Sequence, residues 1–315
     1  SEVVENALSL PTDGVAVDCT LGGAGHAHAV GSLLEESGCL VGIDRDEAAL
    51  AKAREVLSDL NTRVELVHGS YSDFSSVVTN LGISEVDFIL ADLGVSSFQL
   101  DNSERGFSFQ TTGPLDMRMN SSEGPTLSEL IADIERDELA RVIREYGEER
   151  RAQAVAGSIL RMRDQGTLNT TGDLAHAVRS VLGKPKGKRA KDPATKTFQG
   201  LRIWVNRELE ELKVLLRDGP EMLSSGGVLA IISFHSLEDR LVKNRFRELS
   251  HPELAVPDGL PLQKSELPPA LFWASGAIKP TPEEIERNPR SRSAVLRILK
   301  RLPLSDHNQD DGASV

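Results

Sequence analysis

Four short apolar runs punctuate the first ninety residues, at 15–19, 40–43, 64–67 and 86–91. Each has the length and near-continuous hydrophobicity of a strand covered on both faces. Between them apolar residues recur at helical spacing. In 47–60, Ala48, Leu50, Ala51, Val56, Leu57 and Leu60 can share one face. Strands alternating with helices predict a parallel, doubly wound α/β sheet that offers ligands the C-terminal ends of its strands.

The pattern breaks after residue 91. Residues 92–124 are polar, contain several glycines and show no period; a loop of that length is more often functional than not. From 126 to 183 the periodicity is helical throughout. Thr126 and Glu129 have capping-box spacing, and helices are predicted over 135–146, 149–163 and 173–182. With no strand signal there, this stretch is expected to be a helical insertion. One long amphipathic helix is then predicted through Phe198, Leu201, Val205, Leu209, Leu212 and Leu216. The sheet resumes at 224–234 and takes its last strand at 294–299. The polar, acidic tail after Pro303 is expected to be disordered.

Composition narrows this picture in three ways. At 315 residues and 39 % apolar, the chain suits one large soluble domain or a domain with an insertion. No run approaches a membrane span and the start lacks a secretory pattern, so a cytoplasmic setting without a membrane partner is expected. Cys19 and Cys39 have no metal or redox spacing, and no metal is expected. The net charge of −12 argues against a polyanionic partner until its distribution is considered. Residues 176–207 hold nine Lys/Arg against one acid, and 287–301 hold six against none. Such segments can steer a polyanion, or can simply be solvated. Lys184, Lys186, Lys188, Arg189, Lys191, Lys196, Arg290 and Arg292 are the candidate contacts to such a polyanion.

Candidate chemistry begins with Asp18-Cys-Thr-Leu-Gly-Gly-Ala-Gly-His26, where a strand runs into a glycine-rich turn. Asp44 ends the next strand, 19 residues past Gly25. Glycines let backbone N–H groups approach a nucleoside, and the acid can accept from ribose hydroxyls. A purely structural turn is the alternative. His28 stands where a dinucleotide fingerprint has its third glycine, which disfavours a nicotinamide oxidoreductase. Asp92 closes the strand at 86–91, as a site carboxylate or a loop cap. His235, in Ser233-Phe-His-Ser-Leu-Glu-Asp-Arg240, is a site residue or a packed histidine, with Ser236 and Asp239 as expected helix caps.

Further motifs follow in order: Gly42-Ile-Asp-Arg-Asp46, Asp92-Leu-Gly-Val-Ser-Ser97, Glu104-Arg-Gly-Phe-Ser108, Gly113-Pro-Leu-Asp-Met-Arg-Met119, Tyr146-Gly-Glu-Glu149, Thr197-Phe-Gln199, Leu201-Arg-Ile-Trp-Val-Asn206 and Asn288-Pro-Arg-Ser-Arg-Ser293. Together with the two motifs above, they resemble the bacterial 16S (small-subunit) rRNA cytosine-N4 methyltransferase family over nearly the whole chain. A His-x-Pro-Val-Leu-type segment usual before Glu2 is missing, and Phe98 stands where the family often has Pro. The resemblance implies a class I (Rossmann-like) S-adenosylmethionine-dependent methyltransferase sheet, residues 1–105 and 196–315. Into it a helical substrate-recognition domain, 106–195, is inserted. It implies S-adenosylmethionine as cofactor, 16S rRNA of the small subunit as partner, and a protein able to form a homodimer. The implied cofactor contacts are Gly23, Ala24, Gly25 and His26 toward the methionine end, Asp44 on the ribose, and Tyr71, Asp92 and Gln99 around adenine and sulfonium.

The cytosine amine is a poor nucleophile until an acceptor holds its N–H; Asp92, Asp116 and His235 are the candidates. Methylation at C5 would need a cysteine nucleophile, which neither Cys19 nor Cys39 is placed to provide. The Asp/Asn/Ser-Pro-Pro-aromatic motif of DNA amino-methyltransferases is replaced by Asp92-Leu-Gly94. Phe98, Phe107 and Phe109 can stack on an unstacked base or pack within the long loop. A factor that binds RNA without chemistry is the remaining rival.

Overall fold

The structure, a computed structural model, describes residues 2–184, 192–255 and 269–303. It divides into two compact units, one of 1–44, 49–93 and 212–315, the other of 45–48 and 94–211.

The first unit is built on seven strands: β1 (Val15–Asp18), β2 (Cys39–Asp44), β3 (Arg63–His68), β4 (Val86–Asp92), β5 (Leu223–Ser233), β6 (Phe272–Ala274) and β7 (Val295–Arg301). Their order is β3-β2-β1-β4-β5-β7-β6. The first five are parallel, and β7 runs antiparallel to both neighbours. Alternate residues feed opposite cores, as the two-residue period of a strand requires. Val17, Ile89, Ala91, Leu229 and Ile231 face one layer, with Phe74, Leu212, Leu216, Val242 and Phe246 from helices. Ala16, Phe88, Leu90, Val228 and Ala230 face the other, with Ala27, Val30, Leu50 and Ala53. Burial on both faces explains why these strands read as continuous apolar runs.

Strand order reverses between β1 and β4, so the crevice of this doubly wound sheet opens where Asp18 and Asp92 end those strands. The strand β6 was not expected: three residues are too few to show alternation.

The second unit has its own core, drawn from helices Leu127–Ala132, Arg136–Glu145, Ala152–Asp164, Thr171–Leu182 and Ala194–Asn206, with Phe107, Leu115, Met117 and Met119 from the long loop. The expected capping box forms, Thr126 Oγ1 accepting from Glu129 N–H and Glu129 from Thr126 N–H; a second joins Thr170 and Asp173.

Contacts carry this unit past the expected 106–195 at both ends. A Cβ on Gly200 would lie 2.7 Å from the Gly147 nitrogen, so helix Ala194–Asn206 is pressed against the turn at 147. At its end Asn206 bonds the loop, donating to Met117 O at 2.7 Å and accepting from Met119 N at 2.7 Å. The single long helix expected through Leu216 is in fact two, Ala194–Asn206 and Glu208–Met222, separated by Arg207 at φ 52°. Apolar spacing continues across the break, which hides it from a periodicity argument. Among the described residues no helix is long and apolar enough to cross a membrane. The tail after Pro303 lies outside the described residues.

Candidate active site

Three carboxylates end adjacent strands at the crevice of the first unit: Asp18 on β1, Asp44 on β2 and Asp92 on β4. The loop from β1 to helix Gly25–Gly31 is tied to all three strands. Cys19 N–H donates to Leu90 O at 2.8 Å, and Leu21 N–H to Ile43 O at 3.3 Å. Gly22 N–H donates to Asp44 Oδ2 at 2.9 Å, and Asp92 N–H to Thr20 Oγ1 at 2.6 Å. Leu21 fits because Gly42 has no side chain; a Cβ there would come within 2.7 Å of it.

The turn closes on Ala24 in the left-handed region, φ 61°, an uncommon conformation for a residue with a side chain. Beside it, a Cβ added to Gly23 or Gly25 would meet nothing within 4 Å. Those two glycines therefore face open space. The close helix–sheet contact falls on Gly31, where a Cβ would meet Leu60 at 2.6 Å and Leu40 at 2.9 Å. His28 points away and meets Asp59 at 3.1 Å, so its bulk costs no helix–sheet packing. The inference drawn from His28 against a nicotinamide cofactor consequently loses its physical basis.

His26, in the first turn of that helix, brings Nδ1 to 3.6 Å from Asp92 Oδ2. Burial lowers the pKa of His26, so the ring adds no positive charge at neutral pH. Asp92 keeps about a third of its side chain open to the crevice (32 %), yet its Oδ1 is buried with no hydrogen-bond partner among the described residues. Burial, then the charges of Asp18 and Glu238, push its pKa to about 7. Asp18, not anticipated as a site residue, is 3 % exposed and is likewise raised to about 7. Burial is again the main cause; the Thr20 N–H opposes it and Asp44 adds to it. Its signal in the sequence was an acid directly before the glycine turn, on a strand otherwise wholly apolar. Tyr71 is half-buried in the short turn Tyr71–Asp73 that follows β3, capped by Ser70.

A carboxyl whose pKa is raised by folding contributes stability that is complete below its unfolded pKa and is lost as pH rises through its folded one. Asp18→Asn, which cannot ionise, is therefore expected to gain on the parent in denaturant titrations, with the gap widening from pH 5 to pH 8. A gap that stays constant over that range would show that Asp18 ionises equally easily in both states.

The other expected residues are engaged elsewhere. His235 is the N-cap of helix Ser236–Ser250, in place of the expected Ser236–Asp239 pairing. Its Nδ1 accepts from Glu238 N–H at 3.3 Å, while Glu238 Oε2 accepts from Phe234 N–H at 2.9 Å. Asp239 pairs with Arg297 instead.

In the second unit Asp116 is held bidentately by Arg118, at 2.7 and 2.9 Å. Gln99 is buried with both ends of its amide occupied. Oε1 accepts from Ser96 N–H at 3.0 Å and Nε2 donates to Asp46 at 2.9 Å. Arg105 donates to the same Asp46 oxygen at 2.6 Å. The Ser96-x-x-Gln99 spacing is a capping-box signature that the functional reading passed over. Phe107 is buried, and Phe109 meets Phe198 edge-on at 4.8 Å; Phe98 alone of the three is exposed (62 %).

Of the basic candidates, Lys186, Lys188, Arg189 and Lys191 lie outside the described residues. Lys184, Lys196, Arg290 and Arg292 are exposed, with Lys196 Nζ donating to Glu148 O at 3.1 Å. Part of each basic segment is internal: Arg179 pairs with Asp192, Arg202 with Glu208 and Arg297 with Asp239.

The model of the MraW methylase family matches residues 1–302. The chain belongs to that family. Among its relatives, a protein of Methylobacillus flagellatus named ribosomal RNA small subunit methyltransferase H is 46 % identical over 302 residues, covering 95 % of this chain and 92 % of that one. One of the same name from Sorangium cellulosum is 47 % identical over 300 residues, covering 94 % and 87 %. An rRNA methylase structure from Streptococcus thermophilus aligns over 96 % of this chain and 94 % of its own, at 13 % identity and a TM-score of 0.40. As a methylase of this family, the chain has its Rossmann-like class I sheet in the strand order above, with the antiparallel β7 lying between β5 and β6.

Proposed function

We propose that this methylase transfers the methyl group of S-adenosylmethionine to the N4 amine of a cytosine in small-subunit rRNA, in the cytoplasm. The observation that carries the reading is the β1 turn, with open space beside Gly23 and Gly25 and with Asp44 and Asp92 at the ends of neighbouring strands. This donor set fits the proposed cofactor. N–H groups and glycine surface suit the methionine end, Asp44 suits a ribose diol, and the carboxyls of Asp18 and Asp92 suit a cation. Bound there, S-adenosylmethionine supplies an electrophilic methyl group on a positively charged sulfur. The rRNA target rests on the names of the relatives and the N4 position on the motif resemblance; a homodimer belongs to the same proposal.

Asp92 is the acceptor that best suits the target amine. Its Oδ1 has no protein partner among the described residues and its side chain is partly exposed, whereas Asp116 is committed to Arg118 and the buried His235 has Nδ1 on a helix end and Nε2 3.2 Å from Glu238. An ionised Asp92 holds the N–H, directs the nitrogen lone pair away from the ring, and takes the proton as the new N–C bond forms. His26, a neutral neighbour that is partly exposed, can relay that proton to water. The helical unit is proposed to recognise the RNA, with exposed Phe98 available to stack on an unstacked base.

Asp44→Ala is expected to weaken S-adenosylmethionine binding by about 1.5–3 kcal/mol, the worth of hydrogen bonds to a charged group. Calorimetry showing unchanged affinity would remove Asp44 from the ribose. The function itself is tested by incubating the protein with labelled S-adenosylmethionine and unmethylated small subunits, then digesting the rRNA. Label is expected in N4-methylcytidine, and its absence from that nucleoside would refute the reading.

A further inference from the structure

Asp18 and Asp92 face the same side of the sheet. Asp18 stands opposite Leu90 in the β1–β4 register, and Asp92 lies two residues further along β4. The groups facing Asp18 are Asp44 and Asp92, with the adjacent Cys19 thiol in the opposite layer; those facing Asp92 are Asp18, Glu238 and His26. None of these is a permanent cation. Neither Asp18 nor Asp92 has a Lys or Arg within ion-pair distance among the described residues, and Asp92 Oδ1 has no hydrogen bond. Carboxyls crowded in a poorly solvated crevice cannot all ionise without a counter-charge, so a positive ligand changes their protonation when it enters.

We infer that Asp18 and Asp92 make the site selective for charge: a cofactor carrying a positive sulfonium is taken up with release of protons from these carboxyls, and its neutral thioether product is not. This rests on the cofactor reading above. The two ligands share the ammonium, carboxylate, ribose and adenine, and differ in the charge on sulfur. The free site, with both carboxyls raised to about 7, holds protons at neutral pH that the sulfonium displaces. By linkage, its affinity rises with pH until both groups are ionised. Transfer removes the charge on sulfur and leaves only the ammonium that both ligands share, so protons return to the carboxyls the sulfonium had neutralised and the spent cofactor is released more readily. The same event readies Asp92, since its carboxylate becomes available as acceptor when the methyl donor arrives.

Calorimetry on the full chain tests this, with S-adenosylmethionine and S-adenosylhomocysteine titrated at pH 6.5 in two buffers of different ionisation enthalpy. The difference between buffers counts protons. About one more proton is expected to leave with the sulfonium ligand than with the thioether. From pH 6 to pH 8, affinity for the sulfonium should rise about tenfold if one carboxyl is involved and up to about a hundredfold if both are, with little change for the thioether. Asp18→Asn and Asp92→Asn should each remove a share of that slope, while the proton count on the unmutated chain needs no variant to fold. Equal proton counts and equal slopes for the two ligands would overturn the inference and leave the cofactor reading standing. Binding of neither ligand would overturn both.

Discussion

Asp92→Asn is expected to lower the rate of methyl transfer by about 10²- to 10⁴-fold, the range found when a positioned proton acceptor is lost. The substitution keeps the side chain's shape and can still accept a hydrogen bond, but it cannot take a proton. The comparison belongs at saturating cofactor in single turnovers, where altered affinity for the methyl donor does not enter. The unmutated enzyme carries a second signature. Its kcat/KM for the cofactor should climb as pH rises through about 7, where Asp92 ionises in the free protein, and the variant should lose Asp92's part of that rise. Transfer within threefold of the parent would return the acceptor role to another group.

Asp46→Ala is expected to cost about 3–5 kcal/mol of stability in the second unit, the penalty for breaking a buried pair from one side. Asp46 is 4 % exposed and receives Gln99 at 2.9 Å and Arg105 at 2.6 Å on one oxygen. Arg105 also donates to the carbonyls of Arg118 and Met119, at 3.1 and 2.7 Å. Without the carboxylate, a largely buried guanidinium keeps its charge and loses its counter-ion. Trp204 lies on helix Ala194–Asn206 and Trp273 on β6, and the chain has no other tryptophan. In a Trp273→Phe background, fluorescence in urea therefore follows the second unit alone. Adding Arg105→Met to Asp46→Ala should recover part of the loss, because the stranded charge goes with it. A midpoint unchanged by Asp46→Ala would show the network to be dispensable.

Where side chains pack decided what could be read in advance. The strands β1 to β5 and β7 are buried and announce themselves as apolar runs, and the turn at 22–25 followed by Asp44 marks the crevice without further help. Three features were hidden for physical reasons. The break at Arg207 leaves the apolar period intact, and the Asn206 amide that serves a distant loop beside it leaves no mark on that period. Gln99 and His235 look like ligands in a motif, yet Gln99 Oε1 and His235 Nδ1 are spent on helix ends and Gln99 Nε2 on Asp46; the Ser96-x-x-Gln99 spacing carries the first cap, and the other contacts show only in three dimensions. Asp18 passed as strand because its neighbours are so apolar, and that same burial gives it its chemistry. The family resemblance identified the motifs correctly without separating residues that face the crevice from residues that hold it in shape.

The splice of the helical unit into the sheet also sets a timetable. The strand β4 emerges from the ribosome long before its partner β5; Ser224, which donates to Asp87 Oδ1 at 2.5 Å, is 137 residues later in the chain. At roughly 5–20 residues per second, the edge of β4 waits about 7–27 s for that partner. During this interval β1 to β3 can assemble, and the helices of the insertion can bury their own core. A nascent chain stalled once residue 211 has cleared the ribosome should then present a finished helical unit and half a sheet whose exposed edge is open to chaperones.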